Sequence, residues 1–70
     1  MINKKNFINF DNNIINTTYI VYITKVRRSS EPGYGDHGIK VQTRNDAIYK
    51  WYEYEAERDA NFAMLSSKLT

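Results

Sequence analysis

The periodicity of the apolar residues changes once along this chain, at Glu55, and that change limits the folds open to it. Between residues 39 and 44 apolar and polar side chains alternate, which is the period of a half-buried strand. Beyond Glu55 the core-facing positions recur at intervals of four, three and four residues: Arg58, Phe62, Leu65 and Leu69. The sequence therefore predicts strands followed by one amphipathic helix.

Length and composition set further limits. A chain of 70 residues makes one small domain, and its 41% hydrophobic and 14% aromatic residues are enough for a packed core. The absence of Cys excludes disulfides and thiolate sites, so the core alone must hold the fold. The first ten residues lack the apolar run of a signal peptide, and no stretch approaches the ~20 apolar residues of a membrane span. We expect a cytoplasmic protein.

Turn-forming residues divide the first part of the chain into strands. Asn and Asp at 11–13 favour a tight hairpin, and all the Gly and Pro residues fall within 32–38. Ile20 and Ile23 are three apart and share a face only if a bulge or a helical turn intervenes. The predicted strands are at about 6–10, 14–16, 19–28, 38–44 and 47–54, with a loop at 29–38 and a helix at about 55–68. The predicted fold is α+β, an antiparallel four- to five-stranded meander with the helix packed on one sheet face.

Short runs of residues carry a resemblance to known proteins. Phe7-Ile8-Asn9-Phe10, Ile14-Ile15-Asn16, the pair Ile20 and Ile23, and the helix opening at 55–59 occur in this order along the chain. This order resembles small accessory proteins built from a β-meander and a C-terminal helix, among them flagellar FlbD-like proteins and phage or mobile-element proteins. The resemblance implies a compact, non-catalytic accessory protein and supplies no active-site residues.

The residue types that could support catalysis or metal binding are few and lie together in one loop. His37 is the single histidine, and Ser29, Ser30 and Asp36 are near it in the sequence. A catalytic triad needs fixed mutual geometry, and a metal site needs three or four ligands on a rigid frame, neither of which a glycine-rich loop supplies. We therefore predict no enzymatic activity, no metal and no cofactor.

The last predicted strand is apolar on both of its faces. Alternation places Tyr49 and Trp51 on one face, and Ile48, Tyr52 and Tyr54 on the other. One helix covers one face of a small sheet. Burying Trp51 is worth on the order of 3 kcal/mol, so we expect Tyr49 and Trp51 to face the helix and the second set to stay uncovered.

An uncovered aromatic set is typical of a protein-binding surface, because tyrosine supplies apolar area at low entropic cost. The leading hypothesis is a small non-enzymatic interaction module, a phage-type accessory protein or inhibitor of a host factor, that binds a protein partner or a second copy of itself. The predicted contact residues are Tyr22, Ile48, Tyr52 and Tyr54. The alternative is that Tyr52 and Tyr54 are isolated surface aromatics.

A second hypothesis follows from basic residues interleaved with aromatic ones. The net charge is only +2, but cations and tyrosines alternate along the third predicted strand and its neighbours. Such a face can hold a nucleotide or single-stranded nucleic acid. The predicted anion-binding residues are Lys25, Arg27, Arg28 and Arg44. The same cations would also serve to protect an edge strand from aggregation.

Overall fold

Five strands, one short 3₁₀ turn and one helix follow one another in a computed structural model, which describes residues 6–29 and 35–69. The strands are β1 (Phe7–Phe10), β2 (Asn13–Asn16), β3 (Ile20–Arg27), β4 (His37–Thr43) and β5 (Ala47–Tyr52). The 3₁₀ turn is Thr17–Tyr19 and the helix is α1 (Glu55–Leu69). The α+β class and the C-terminal helix are confirmed.

The strands form two antiparallel sheets, so the prediction of one continuous meander is wrong. β1 pairs with β2, while a separate sheet has the order β3-β4-β5. The break lies at the 3₁₀ turn, where the side-chain oxygen of Asn16 accepts hydrogen bonds from the Thr18 backbone N–H at 3.0 Å and the Thr18 hydroxyl at 2.8 Å. This cap redirects the chain after β2, and β3 pairs with β4 instead of continuing the first sheet.

The β1–β2 hairpin closes with a two-residue turn. Phe10 is opposite Asn13, and the intervening Asp11 and Asn12 have φ values of 50° and 64°. Asp and Asn tolerate this left-handed region better than other residues with a side chain, and two consecutive positive φ values match the twist of a tight hairpin. The predicted hairpin is confirmed.

A bulge, one of the two irregularities predicted for the third strand, is present. The register between β3 and β4 shifts between Ile20 and Tyr22, which leaves Val21 as an extra residue. Because of this shift, Ile20 and Ile23 both pack against the core although they are three residues apart. Residues 30–34, half of the predicted loop 29–38, lie outside the described residues, and His37 and Gly38 belong to β4.

One core joins the hairpin, one face of the three-stranded sheet and the helix. Its buried apolar residues are Ile8, Phe10, Ile15, Ile39, Val41, Tyr52 and Leu65. Ile39 and Val41, in the central strand, have no exposed surface. The β1–β2 hairpin and α1 therefore contribute to the core on the same side of the sheet, and the predicted packing of the helix on one face is confirmed.

A polar network links the first turns of α1 to β3. Arg58 is buried, and its Nε lies 2.8 Å from Asp59 Oδ1 while its Nη1 donates to the Val26 carbonyl at 3.4 Å. Lys25 Nζ lies 3.1 Å from the same Asp59 oxygen. Hydrogen bonds from Arg58 and Lys25 lower the pKa of Asp59. The carboxylate therefore stays ionised and holds both cations on the helix side of the sheet.

Among the described residues there is no helix with both the length and the apolar character needed to cross a membrane.

Candidate binding face

The sheet face turned away from the core is defined by strand alternation and register. Its members are Tyr22, Thr24 and Val26 on β3, Gly38, Lys40 and Gln42 on β4, and Ala47, Tyr49 and Trp51 on β5. Their sequence neighbours Ile39 and Val41 point to the opposite side, into the core. We call these nine residues the open face.

Lys40 lies at the centre of the open face, between two tyrosine rings. Its Nζ is 5.5 Å from the ring centroid of Tyr22 and 5.9 Å from that of Tyr49. Both distances are within the range of a cation–π contact. Hydrogen bonding to the Tyr22 hydroxyl raises the pKa of Lys40, against the opposing effect of burial, and Tyr49 acts in the same direction as Tyr22. Lys40 therefore carries a full positive charge at every physiological pH.

The tyrosine rings are accessible from solvent. Tyr22 and Tyr49 are each 44% exposed, although each also contacts the Lys40 ammonium. The Lys40 ammonium, held by the rings and hydroxyls of Tyr22 and Tyr49, can turn on its flexible stem toward an anionic partner, because an oxyanion adds an attraction between full charges that a tyrosine ring and hydroxyl lack. Such a movement would leave both rings free to stack.

Trp51 lies beside Tyr49 and across the backbone of Gly38. The rings of Trp51 and Tyr49 are parallel within 6°, with centroids 6.1 Å apart. A Cβ atom at position 38 would lie 2.6 Å from two carbon atoms of the indole, so only glycine lets the ring occupy this place. The guanidinium carbon of Arg28 is 4.2 Å from the Trp51 ring centroid, and Arg28 Nε donates to the Gly35 carbonyl at 2.9 Å. The indole is thus fixed between backbone and cation.

The nine residues of the open face include no carboxylate. At the two ends of β4, the nearest described carboxylates are already held by other groups. Asp36 lies 3.8 Å from Arg27 and 3.3 Å from His37, and the Asp46 carboxylate is 2.7 Å from the Thr43 hydroxyl. Since Lys40 and Arg28 contribute positive charge, the face is electrostatically suited to an anion.

The predicted alternation of Tyr49 and Trp51 against Ile48 and Tyr52 is confirmed, but the prediction that Tyr49 and Trp51 face the helix is wrong. Tyr49 and Trp51 lie on the open face, while Ile48 and Tyr52 pack with the core and α1. The physical reason for the exchange of faces is Gly38, which is opposite Trp51 in the β4–β5 pair. Because Gly38 has no side chain, the indole can pack flat on its backbone and does not need the helix to cover it. The largest side chain therefore gains burial against backbone instead of against α1.

The predicted protein-contact residues are accordingly separated. Tyr22 belongs to the open face, whereas Ile48 is partly buried against the core and Tyr52 is only 6% exposed. Tyr54 follows the end of β5 and is 63% exposed, away from the nine open-face residues. The structure does not bring these four side chains together on one surface.

The predicted anion-binding residues are also divided between the two sides of the sheet. Lys25 and Arg27 point to the helix side, where Lys25 contacts Asp59 and Arg27 is near Asp36. Arg28 contacts Trp51 on the open side. Arg44 lies at the start of the β4–β5 turn, with its guanidinium carbon 5.6 Å from the Tyr19 ring centroid. Of these four predicted residues, only Arg28 and Arg44 can therefore contribute to the binding of a ligand on the open face.

The sequence analysis did not predict that Lys40, Tyr49 and Trp51 lie together on the open face. One signal was available: a short turn at 44–46 fixes the register of the last two strands and puts the glycine at 38 opposite the tryptophan at 51. A glycine inside a strand is a usual sign of close approach by another group. That pairing identifies the face on which the indole lies.

Other chemistry receives no support from the geometry. No group of three or more His, Cys, Asp or Glu side chains able to hold a metal ion occurs within residues 6–29 and 35–69. No protein-family model, curated protein or solved structure matches the chain.

Proposed function

We propose that this protein is a non-enzymatic binding module that holds single-stranded nucleic acid on its open face. The observation that carries the proposal is the position of Lys40 between Tyr22 and Tyr49, at the centre of a face without carboxylates. Proteins that bind single strands combine cations that contact phosphates with aromatic rings on which bases stack. The open face offers both groups within a few ångströms of each other.

The chemistry of binding follows from this arrangement. The Lys40 ammonium turns from the two rings to a phosphate oxygen, and the released faces of Tyr22 and Tyr49 each accept a base. Stacking needs only a π-face, so this mode discriminates little between bases. Arg28 and Trp51 add a second cation and ring at one end of the face. The expected ligand is therefore a flexible single strand of any sequence, which can splay its bases over a sheet.

The arrangement of these residues in the structure gives less support to a protein partner than their sequence pattern did. Of the four contact residues proposed for it, Tyr52 belongs to the core and Ile48 packs against the core. A second copy docked on the open face would bring Lys40 and Arg28 of both copies together, and like charges in an interface cost several kcal/mol. A protein bound there would have to be acidic, which makes an acidic polypeptide the proper competitor in a binding test.

The first test measures binding of fluorescein-labelled oligothymidylate and oligouridylate, twelve nucleotides long, by fluorescence anisotropy between 50 and 300 mM NaCl. Each phosphate contact on a single strand contributes about −0.7 to the slope of log K against log salt. If Lys40, Arg28 and Arg44 each contact one phosphate, the expected slope is about −2. Lys40→Gln should make this slope shallower by about 0.7.

Polyglutamate and a blunt DNA duplex serve as competitors in the same assay. We expect neither to displace the labelled oligonucleotide at equal charge concentration, because neither presents unstacked bases. Absence of oligonucleotide binding at 50 mM NaCl would refute the proposal. Displacement by polyglutamate as effective as displacement by unlabelled oligonucleotide would point to an acidic protein partner instead.

A further inference from the structure

A third pair of cation and ring extends the open face beyond Tyr22. Arg44 N–H donates to the Tyr19 carbonyl at 3.1 Å, which continues the β3–β4 pairing past the end of the strands. The Arg44 guanidinium carbon lies 5.6 Å from the Tyr19 ring centroid, and Tyr19 is 51% exposed. Both side chains are exposed and lie one residue beyond the Ile20–Thr43 pair, at the Tyr22 end of the sheet.

The backbone positions of the three cations are evenly spaced in the direction of the central strand. Arg44 is four residues after Lys40, and Arg28 is opposite Asp36, which is four residues before Lys40. At about 3.3 Å per residue, neighbouring backbone positions are about 13 Å apart, and the row spans at most about 26 Å, because the Arg28 guanidinium lies over Trp51, which is opposite Gly38. Each cation contacts at least one aromatic ring. The same recognition unit therefore occurs three times in a line.

From this repetition we infer that the ligand lies along β4, from Arg44 and Tyr19 at one end to Arg28 and Trp51 at the other. This inference rests on the proposed function and gives it a length and a path. A strand stacked at 3.4 Å per nucleotide fills 26 Å with about eight nucleotides, and an extended strand fills it with fewer. The open face should accordingly bind about four to eight nucleotides, which is near the lower end of the site sizes of proteins that bind single strands.

The test varies the length of the oligonucleotide and removes the cation at one end of the row. Dissociation constants are measured for oligothymidylates of 3, 4, 6, 8, 10 and 14 nucleotides, with wild-type protein and with Arg44→Gln. In the wild type, affinity should rise steeply with length and level off by about eight nucleotides. In Arg44→Gln, affinity for ten nucleotides should fall roughly three- to tenfold, the loss typical of one polar contact, while affinity for four nucleotides stays within twofold.

Arg27→Gln is the matched control, because it removes the same charge from the helix side of β3. The Arg27 side chain is 69% exposed and its contact with Asp36 is long, at 3.8 Å. Arg27→Gln should bind every length as the wild type does, and thermal unfolding of both variants should match that of the wild type, since both residues are exposed.

Several outcomes would overturn the inferred path while leaving the proposed function intact. Affinity that keeps rising in proportion to length beyond ten nucleotides would show that the ligand is not confined to β4. An equal effect of Arg44→Gln on four and ten nucleotides, or an effect of Arg27→Gln as large as that of Arg44→Gln, would do the same. If no length binds, the proposed function itself is refuted.

Discussion

Alanine at both Tyr22 and Tyr49 is expected to weaken oligothymidylate binding by at least about 30-fold. Each base stacked on an aromatic side chain contributes about 1–3 kcal/mol by alanine substitution, so two lost stacks correspond to about 2 kcal/mol or more. Both rings are exposed and lie outside the core, so the double variant should keep its fold. The measurement is anisotropy of a labelled ten-nucleotide strand at 50 mM NaCl, with circular dichroism to confirm folding.

Two control variants separate stacking from other effects of the tyrosines. The double variant with Phe at the same positions keeps both π-faces and should bind within about threefold of wild type, since stacking does not need the hydroxyl. Tyr54→Ala removes a more exposed ring outside the open face and should not change binding. Wild-type affinity in the alanine double variant would contradict the role given to Tyr22 and Tyr49.

The second large effect concerns stability. Tyr52→Ala should lower the free energy of unfolding by about 3–5 kcal/mol, the usual cost of deleting a buried aromatic side chain. Tyr52 is 6% exposed, packs in the same core cluster as Leu65, and its burial raises the pKa of its hydroxyl. At about 4–8 °C per kcal/mol for a domain of this size, a loss of 3 kcal/mol lowers Tm by about 12–24 °C.

Thermal and urea unfolding followed by circular dichroism provide the measurement. Tyr54→Ala is the matched control and should change the free energy of unfolding by no more than about 0.5 kcal/mol, because Tyr54 is 63% exposed. If Tyr52→Ala proved as stable as the wild type, Tyr52 would not be a core residue, and the assignment of the two sheet faces would be wrong.

Much of the secondary structure could be predicted from local chemistry. The hairpin at Asp11 and Asn12 depends on residues that tolerate positive φ, and the bulge after Ile20 follows from the spacing of two apolar residues. The helix begins at Glu55, where the period of apolar residues changes. These features are set by neighbours within a few positions, which is why a single sequence reveals them.

The separation of the two sheets was harder to predict, because it depends on how one residue caps a turn. Asn16 was predicted as the last residue of the strand at 14–16, and no local pattern shows that its side chain would accept hydrogen bonds from Thr18 and redirect the chain. The strand count was close, while the pairing of β2 and β3 in one meander was wrong. Strand pairing is set by contacts distant in sequence, to which local patterns give little access.

The orientation of β5 could not be read from its own residues. Both alternating sets on this strand contain large apolar side chains, so alternation alone does not say which set faces the core. The deciding group is the glycine at position 38, opposite Trp51, which removes the steric obstacle on one side only. The pairing of Gly38 with Trp51 therefore determines which residues of β5 lie on the open face, and the aromatic residues of β5 alone do not reveal it.

The most direct test of the central claim is a map of the bound surface. Uniformly ¹⁵N-labelled protein is titrated with an eight-nucleotide oligothymidylate, and amide and indole shifts are followed by NMR. We expect the largest changes at Lys40, Tyr49 and the Trp51 indole N–H, with little change along the middle of α1 or in the β1–β2 hairpin. Changes concentrated on α1 or on that hairpin, with an unperturbed Trp51 indole, would contradict binding on the open face.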